Sequence, residues 1–140
     1  MRVVLTALLL LATNSAWAEW VKVAESATLI HYLDPATIRH YGDLRSAWEL
    51  EDLKTPAPKG ELSLRTLFEF DCNARRVRIL SASSHSGPMA MGTVISMVIV
   101  PDNWDPIPPG TLAESYLKFV CARQAKPATM SGARLPLIEP

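Results

Sequence analysis

Cysteine is scarce in this chain of 140 residues: there are two, Cys72 and Cys121. Two cysteines exclude a disulfide-dense miniature scaffold. Neither has a second cysteine or a histidine at ligand spacing, so they do not read as a metal cluster either. A charge excess is also missing, since 14 Lys and Arg balance 14 Asp and Glu. Without a basic stripe there is no footprint for nucleic acid. No apolar run approaches the roughly 20 residues that a membrane-crossing helix needs. No serine lies in a G-x-S-x-G elbow, which removes the usual sequence sign of a serine hydrolase. Internal repeats and low-complexity tracts are absent as well. The eleven prolines argue against a long helical bundle.

What is present begins with an export signal. Arg2 gives a short positive start, Val3 to Ala12 is apolar apart from Thr6, and Ala16-Trp17-Ala18 supplies the small-x-small pattern read by signal peptidase. The expected organisation is a signal peptide over 1–18, a single domain over 19–123 and a flexible tail over 124–140. No cysteine lies at the cleavage point, so a lipid anchor is not expected, and no membrane span is expected after cleavage. Export into an oxidising compartment makes an even pair of cysteines read as a disulfide, Cys72 to Cys121.

The mature chain reads as strands first and a helix last. Trp20–Ala24 and Thr28–Leu33 are β-like runs, closed by Asp34-Pro35. From Arg45 to Glu51 the pattern alternates, with Ser46, Trp48 and Leu50 on one side and Arg45, Ala47, Glu49 and Glu51 on the other. Trp48 reads as core on that pattern. Leu62, Leu64, Thr66, Phe68, Phe70 and Cys72 share the apolar face of the next strand, and Val77–Ile79 resumes the alternation after a hairpin loop at Asn73-Ala74-Arg75. Thr93–Val100 is so continuously apolar that it suits a central strand or one buried on both faces. Pro101–Gly110 holds four prolines and is expected to be irregular. Thr111 with Glu114 forms a capping box. In the helix it opens, Leu112, Ala113, Tyr116, Leu117, Phe119, Val120 and Cys121 share a broad apolar face. The sum is an α+β fold: an antiparallel β-sheet of about five or six strands with one C-terminal helix packed on its apolar face. The other sheet face, with Arg45, Glu49, Arg65 and Glu69, is expected to meet water or a partner.

Candidate chemistry is thin. His85 lies between two serines with no catalytic context, and Glu51-Asp52 point opposite ways on a strand. His31 and His40 flank Asp34 without short ligand spacing, so no metal site is expected there. Met89 and Met91 with His85 form a rival reading, a carrier of metal or haem. Trp104 in the proline loop reads as a lid over the helix–sheet seam or as an anchor for a partner, and Arg75, Arg76 and Arg78 cluster at a hairpin that could meet an anionic partner. No cofactor is called for.

Several segments, in order, carry a family resemblance: Tyr32-Leu33-Asp34-Pro35-Ala36-Thr37-Ile38-Arg39, Ala47-Trp48-Glu49-Leu50, Leu53-Lys54-Thr55-Pro56, Glu69-Phe70-Asp71-Cys72, Ser86-Gly87-Pro88-Met89, and Trp104 to Cys121 with its Pro109-Gly110-Thr111 entry. Together they resemble the surface-adhesin protein E-like family of exported bacterial proteins, over roughly residues 20 to 121. The resemblance implies a small α+β domain with a Cys–Cys bridge. It also implies a non-enzymatic role in binding proteins, either host extracellular-matrix and plasma proteins or envelope proteins. The chain is expected in the periplasm, secreted or at the cell surface, and a homodimer is one assembly left open. A periplasmic carrier of a small ligand, or an envelope accessory protein, is the alternative.

Overall fold

Strict period-two alternation over the long middle segments commits them to strands, and hairpin-length connections make neighbours antiparallel. The computed structural model describes residues 19–99 and 103–122, so the expected signal peptide and tail lie outside the described residues. The elements run β1 (Val21–Glu25), β2 (Leu29–Leu33), a single 3-10 turn (Pro35–Thr37), β3 (Arg39–Tyr41), β4 (Leu44–Leu53), β5 (Ser63–Asp71), β6 (Arg76–His85), β7 (Val94–Ile99), β8 (Asp105–Pro106) and α1 (Leu112–Ala122). One antiparallel sheet is ordered β1-β2-β4-β5-β6-β7, with β3 added to β4 and β8 added to β6. Among the described residues no helix is long and apolar enough to cross a membrane.

The α+β class and the C-terminal helix are as expected, but the sheet has eight strands rather than five or six. The two extra strands are short. β3 lies in a stretch with no clear alternation, and its three residues are recruited by pairing with Leu44–Ser46. β8 lies inside the proline-rich segment expected to be irregular. Pro106 is tolerated because an edge position asks for no donor from it, while Ile107 N–H donates to Arg75 O at 2.9 Å.

The core lies between the sheet and α1. Leu33, Ala47, Phe70 and Ile107 meet Tyr116, Leu117 and Val120 there. Antiparallel register puts Ala47 opposite Phe68 and Glu49 opposite Thr66, so the helix-facing side of β4 is the Ala47/Glu49 side. This reverses the expectation for β4. Trp48 sits half-buried on the distal face instead of in this core, and Glu49 is buried beneath the helix instead of facing solvent. Alternation defines two faces but does not say which one a later helix will cover, and β4, with Leu50 also buried, has little solvent on either side. On α1, Tyr116, Leu117 and Val120 are buried as the wheel predicted, but Leu112 is exposed at the first turn.

The apolar run at Thr93–Val100 is the largest departure. β7 is the last strand of the sheet, with one edge unpaired among the described residues. Met97 is 68% and Ile99 84% exposed, and Val94 and Val98 are also open. The physical reason is coverage: the one helix lies over the β1-β2-β4-β5 part of the sheet, where Tyr116 meets His31, Glu49 and Phe68 and Cys121 is bonded to Cys72. It does not extend to β7, which leaves the helix-side Val98 open, while Met97 and Ile99 point to the distal face, away from α1. Cys72 and Cys121 are bonded, with S–S 2.01 Å and Cα–Cα 5.9 Å. The bridge ties the end of β5 to the end of α1, as parity predicted.

Candidate functional site

Two polar clusters stand out, one on each face of the sheet. The distal one starts from the β5–β6 hairpin. Asp71 pairs with Arg76 and Glu69 with Arg78 across the strands, which aligns both arginines on the face opposite Phe70 and Val77. Cross-strand ion pairs then form: Arg76 Nη2 lies 3.0 Å from Asp71 Oδ2, and Arg78 bonds Glu69 through Nε and Nη2. The Asp71 pKa is lowered, first by the Ala74 amide that caps the turn and then by Arg76. Trp104 lies against both guanidinium groups, at 4.8 Å from Arg76 and 4.5 Å from Arg78, in cation–π geometry.

This placement settles one of the two readings of Trp104. Its loop passes around the end of the sheet, with Ile107 plugged into the core and Trp104 on the distal face. It is therefore no lid over the helix–sheet seam. Arg75 is separate: its guanidinium reaches Glu114 of α1 at 2.7 Å. Each of the three hairpin arginines has a carboxylate partner, so the hairpin is not a bare cationic patch. Farther along the same face Arg65 stacks 4.0 Å over Trp48, giving a second guanidinium–indole pair.

The His85/Met89 reading finds different geometry. His85 is buried at the end of β6, Ser83 Oγ is 3.0 Å from its Nε2, and burial pushes its pKa down. Met89 and Ala90 both have positive φ, and their amides donate to Asp52 Oδ1 and Ser63 Oγ. These residues pin the 86–92 connection to the sheet. His40 lies on β3 opposite Arg45 of β4, and His31 on β2 opposite Glu51 of the same strand.

Sequence reasoning missed the helix-side cluster. His31 is directly opposite Glu51 in the β2–β4 ladder, and Glu49 is two residues away on the same face. Tyr116 descends from α1. Its hydroxyl donates to Glu49 Oε1 at 2.8 Å and lies 2.8 Å from His31 Nδ1. His31 Nδ1 is 3.1 Å from Glu49 Oε1 and 3.7 Å from Glu51 Oε1. Burial raises the Glu49 pKa, against the pull of its hydrogen bonds to His31 and Tyr116. Burial also pushes the Tyr116 hydroxyl far up, with the Glu49 charge adding to it. The sequence signal was Glu49-Leu50-Glu51, because i and i+2 of a strand share a face. The adjacent pair Glu51-Asp52 drew attention to the wrong spacing.

Known proteins supply the context for this geometry. The profile described as Surface-adhesin protein E matches residues 20–122. The chain belongs to the surface-adhesin protein E family. Among solved structures, crystal form II of Haemophilus influenzae protein E is similar at 14% identity with a TM-score of 0.53, covering 73% of this chain and 96% of that one. Protein E from non-typeable Haemophilus influenzae is similar at 12% identity with a TM-score of 0.54, covering 78% of this chain and 79% of that one. At such identities the likeness is one of fold. No curated protein matches the chain.

Proposed function

We propose that this protein is an exported, non-enzymatic protein-binding domain of the adhesin type. Its contact face is the edge of β7 that is unpaired among the described residues, continued on the distal face by Trp104, Arg76 and Arg78. The single observation that carries this reading is the exposure of β7, an apolar strand at the open end of the sheet. An unpaired strand edge offers backbone donors and acceptors to an incoming segment, and exposed apolar patches mark interaction sites. Register puts Ile99 opposite Ser81 and Met97 opposite Ser83. Both side chains therefore lie on the distal face, the same face as Trp104. Trp and Arg are the residue types that most often dominate binding energy. Here both arginines are ordered by ion pairs before any partner arrives. Family membership supports an adhesin-like role.

The test uses the mature, disulfide-bonded chain immobilised against laminin, vitronectin and plasminogen, with Ile99→Lys as the contact-face variant. The expected result is saturable binding to at least one of them, weakened at least tenfold by Ile99→Lys. It should change little between low and high salt, because the guanidinium groups are already neutralised. Binding unaffected by Ile99→Lys would overturn the assigned face, and absence of saturable binding to all three would overturn the adhesin reading. Fractionation of cells carrying a C-terminally tagged copy tests export, with recovery outside the cytoplasm the expected outcome and a surface-exposed pool the result that favours adhesion.

A further inference from the structure

We propose that His31, Glu49 and Glu51 form a binding site for one divalent transition-metal ion of the zinc class, with Tyr116 as its positioning residue. The three side chains come from two strands and converge without needing any rearrangement of the backbone. One ligand atom from each lies within 4.8 Å of the other two. A tetrahedral zinc with bonds of about 2.0–2.1 Å has ligand–ligand edges of roughly 3.3 Å. The His31–Glu49 and His31–Glu51 separations of 3.1 and 3.7 Å bracket that edge.

A simple hydrogen-bond cluster would account for Glu49 but not for Glu51. Glu49 accepts from Tyr116 and meets His31. The Glu51 carboxylate accepts no hydrogen bond among the described residues, yet it turns toward the same imidazole at 3.7 Å. Nor does any Lys or Arg among the described residues lie within ion-pairing distance of Glu49 or Glu51. Two carboxylates therefore share one imidazole, an arrangement that a dication completes. One nitrogen and two carboxylate oxygens suit zinc and its neighbours, whereas Ca²⁺ and Mg²⁺ ask for six or more oxygens. Tyr116 Oη fixes the Glu49 carboxylate from the helix side, the kind of outer partner that holds a ligand in place. The Glu49 side chain is 2% exposed and that of Glu51 32%. The site thus opens on the Glu51 side, where water or a partner's side chain can take the fourth position.

The test uses untagged mature protein stripped with EDTA and titrated calorimetrically with ZnCl2, with CaCl2 and MgCl2 run in parallel. The expected result is one zinc per chain at micromolar affinity or tighter, with no comparable calcium or magnesium binding. Glu51→Gln and His31→Ala each weaken it at least tenfold, Tyr116→Phe weakens it roughly tenfold or more, and Glu25→Gln leaves it unchanged. Co²⁺ should give the visible absorption bands of a tetrahedral nitrogen–oxygen site, lost in Glu51→Gln. If His31→Ala fails to fold, Glu51→Gln and the cobalt spectrum decide, since Glu51 is partly exposed. Absence of saturable 1:1 zinc binding, or binding that survives Glu51→Gln, overturns the site. No partner protein enters these measurements, so they stand or fall separately from the adhesin reading.

Discussion

Glu49 shows how one side chain can be held against its own solvation. Its carboxylate is almost fully buried, and burial raises its pKa more than the bonds to His31 and Tyr116 lower it. For an acid shifted upward, the folded state disfavours the charged form. Stability is then full below the unfolded value near 4.5 and declines as pH rises toward the folded value. In metal-free protein, Glu49→Gln is expected to raise Tm at pH 7 and to flatten the dependence of Tm on pH above 5. Tm measured across pH 4 to 8 for both proteins checks this, and an unchanged slope would refute it. Trp104 is the other residue with a distinct role, lying against two guanidinium groups. Trp104→Ala is expected to weaken partner binding at least tenfold while lowering Tm by no more than about 10 °C, since each of its two partly buried cation–π contacts contributes about 0.5–1 kcal/mol. Binding and melting are measured on the same preparation.

At the scale of elements, connections do more than link strands. The 86–92 connection contains Met89 and Ala90 at φ 55° and 56° and Gly92 at φ 77°. A Cβ on Gly92 would lie 2.5 Å from Ser86 Oγ and 2.9 Å from Gly87 N, and the second of these is backbone that cannot step aside. Gly92→Ala is therefore expected to destabilise by about 1–3 kcal/mol, read by chemical denaturation. Helix α1 is anchored at its start by a variant of the capping box. Thr111 Oγ1 accepts the Glu114 amide at 3.3 Å, but Glu114 reaches back to the Gly110 amide at 2.9 Å instead of to Thr111. That bond, then Arg75, holds the Glu114 pKa at about 2. A lowered acid adds stability that is present above the unfolded value near 4.5 and is lost as pH falls toward 2. Acid titration of helical circular dichroism is expected to show that loss between pH 4.5 and 2. Glu114→Gln should start from a lower Tm at pH 7 and lose less on acidification.

For the molecule as a whole, one short helix on a wide sheet cannot cover everything, and the disulfide strengthens the part it does cover. Cys72 and Cys121 are 49 residues apart in sequence. Closing a loop of that size restricts the unfolded chain by about 4 kcal/mol on a chain-entropy argument. Replacing both cysteines by serine is expected to lower Tm by on the order of 20 °C for a domain of about 100 residues. A shift of a few degrees in calorimetry would refute that estimate. The uncovered end, β7, contributes little to the core, and its apolar side chains are spent on the surface.

Leaving aside the short β3 and β8, which escaped it, the sequence alone determined the positions of the six longer strands through their apolar runs and period-two alternation, the helix through its cap and wheel, and the disulfide through parity and compartment. All of these depend on local spacing, which a linear reading carries. Only the tertiary structure decided which side of each strand is inside. Ala47 and Glu49 were turned under α1, Trp48 was turned away, and the apolar Val94–Ile99 was left at an edge. The clusters followed the same rule. Arg76 and Arg78 were visible as neighbours, but their stacking on Trp104 depends on a loop passing around the sheet. His31, Glu49 and Tyr116 meet across 85 residues of sequence. Coverage depends on where a helix comes to rest and how many strands it can span, and neither is written in the pattern of any one segment.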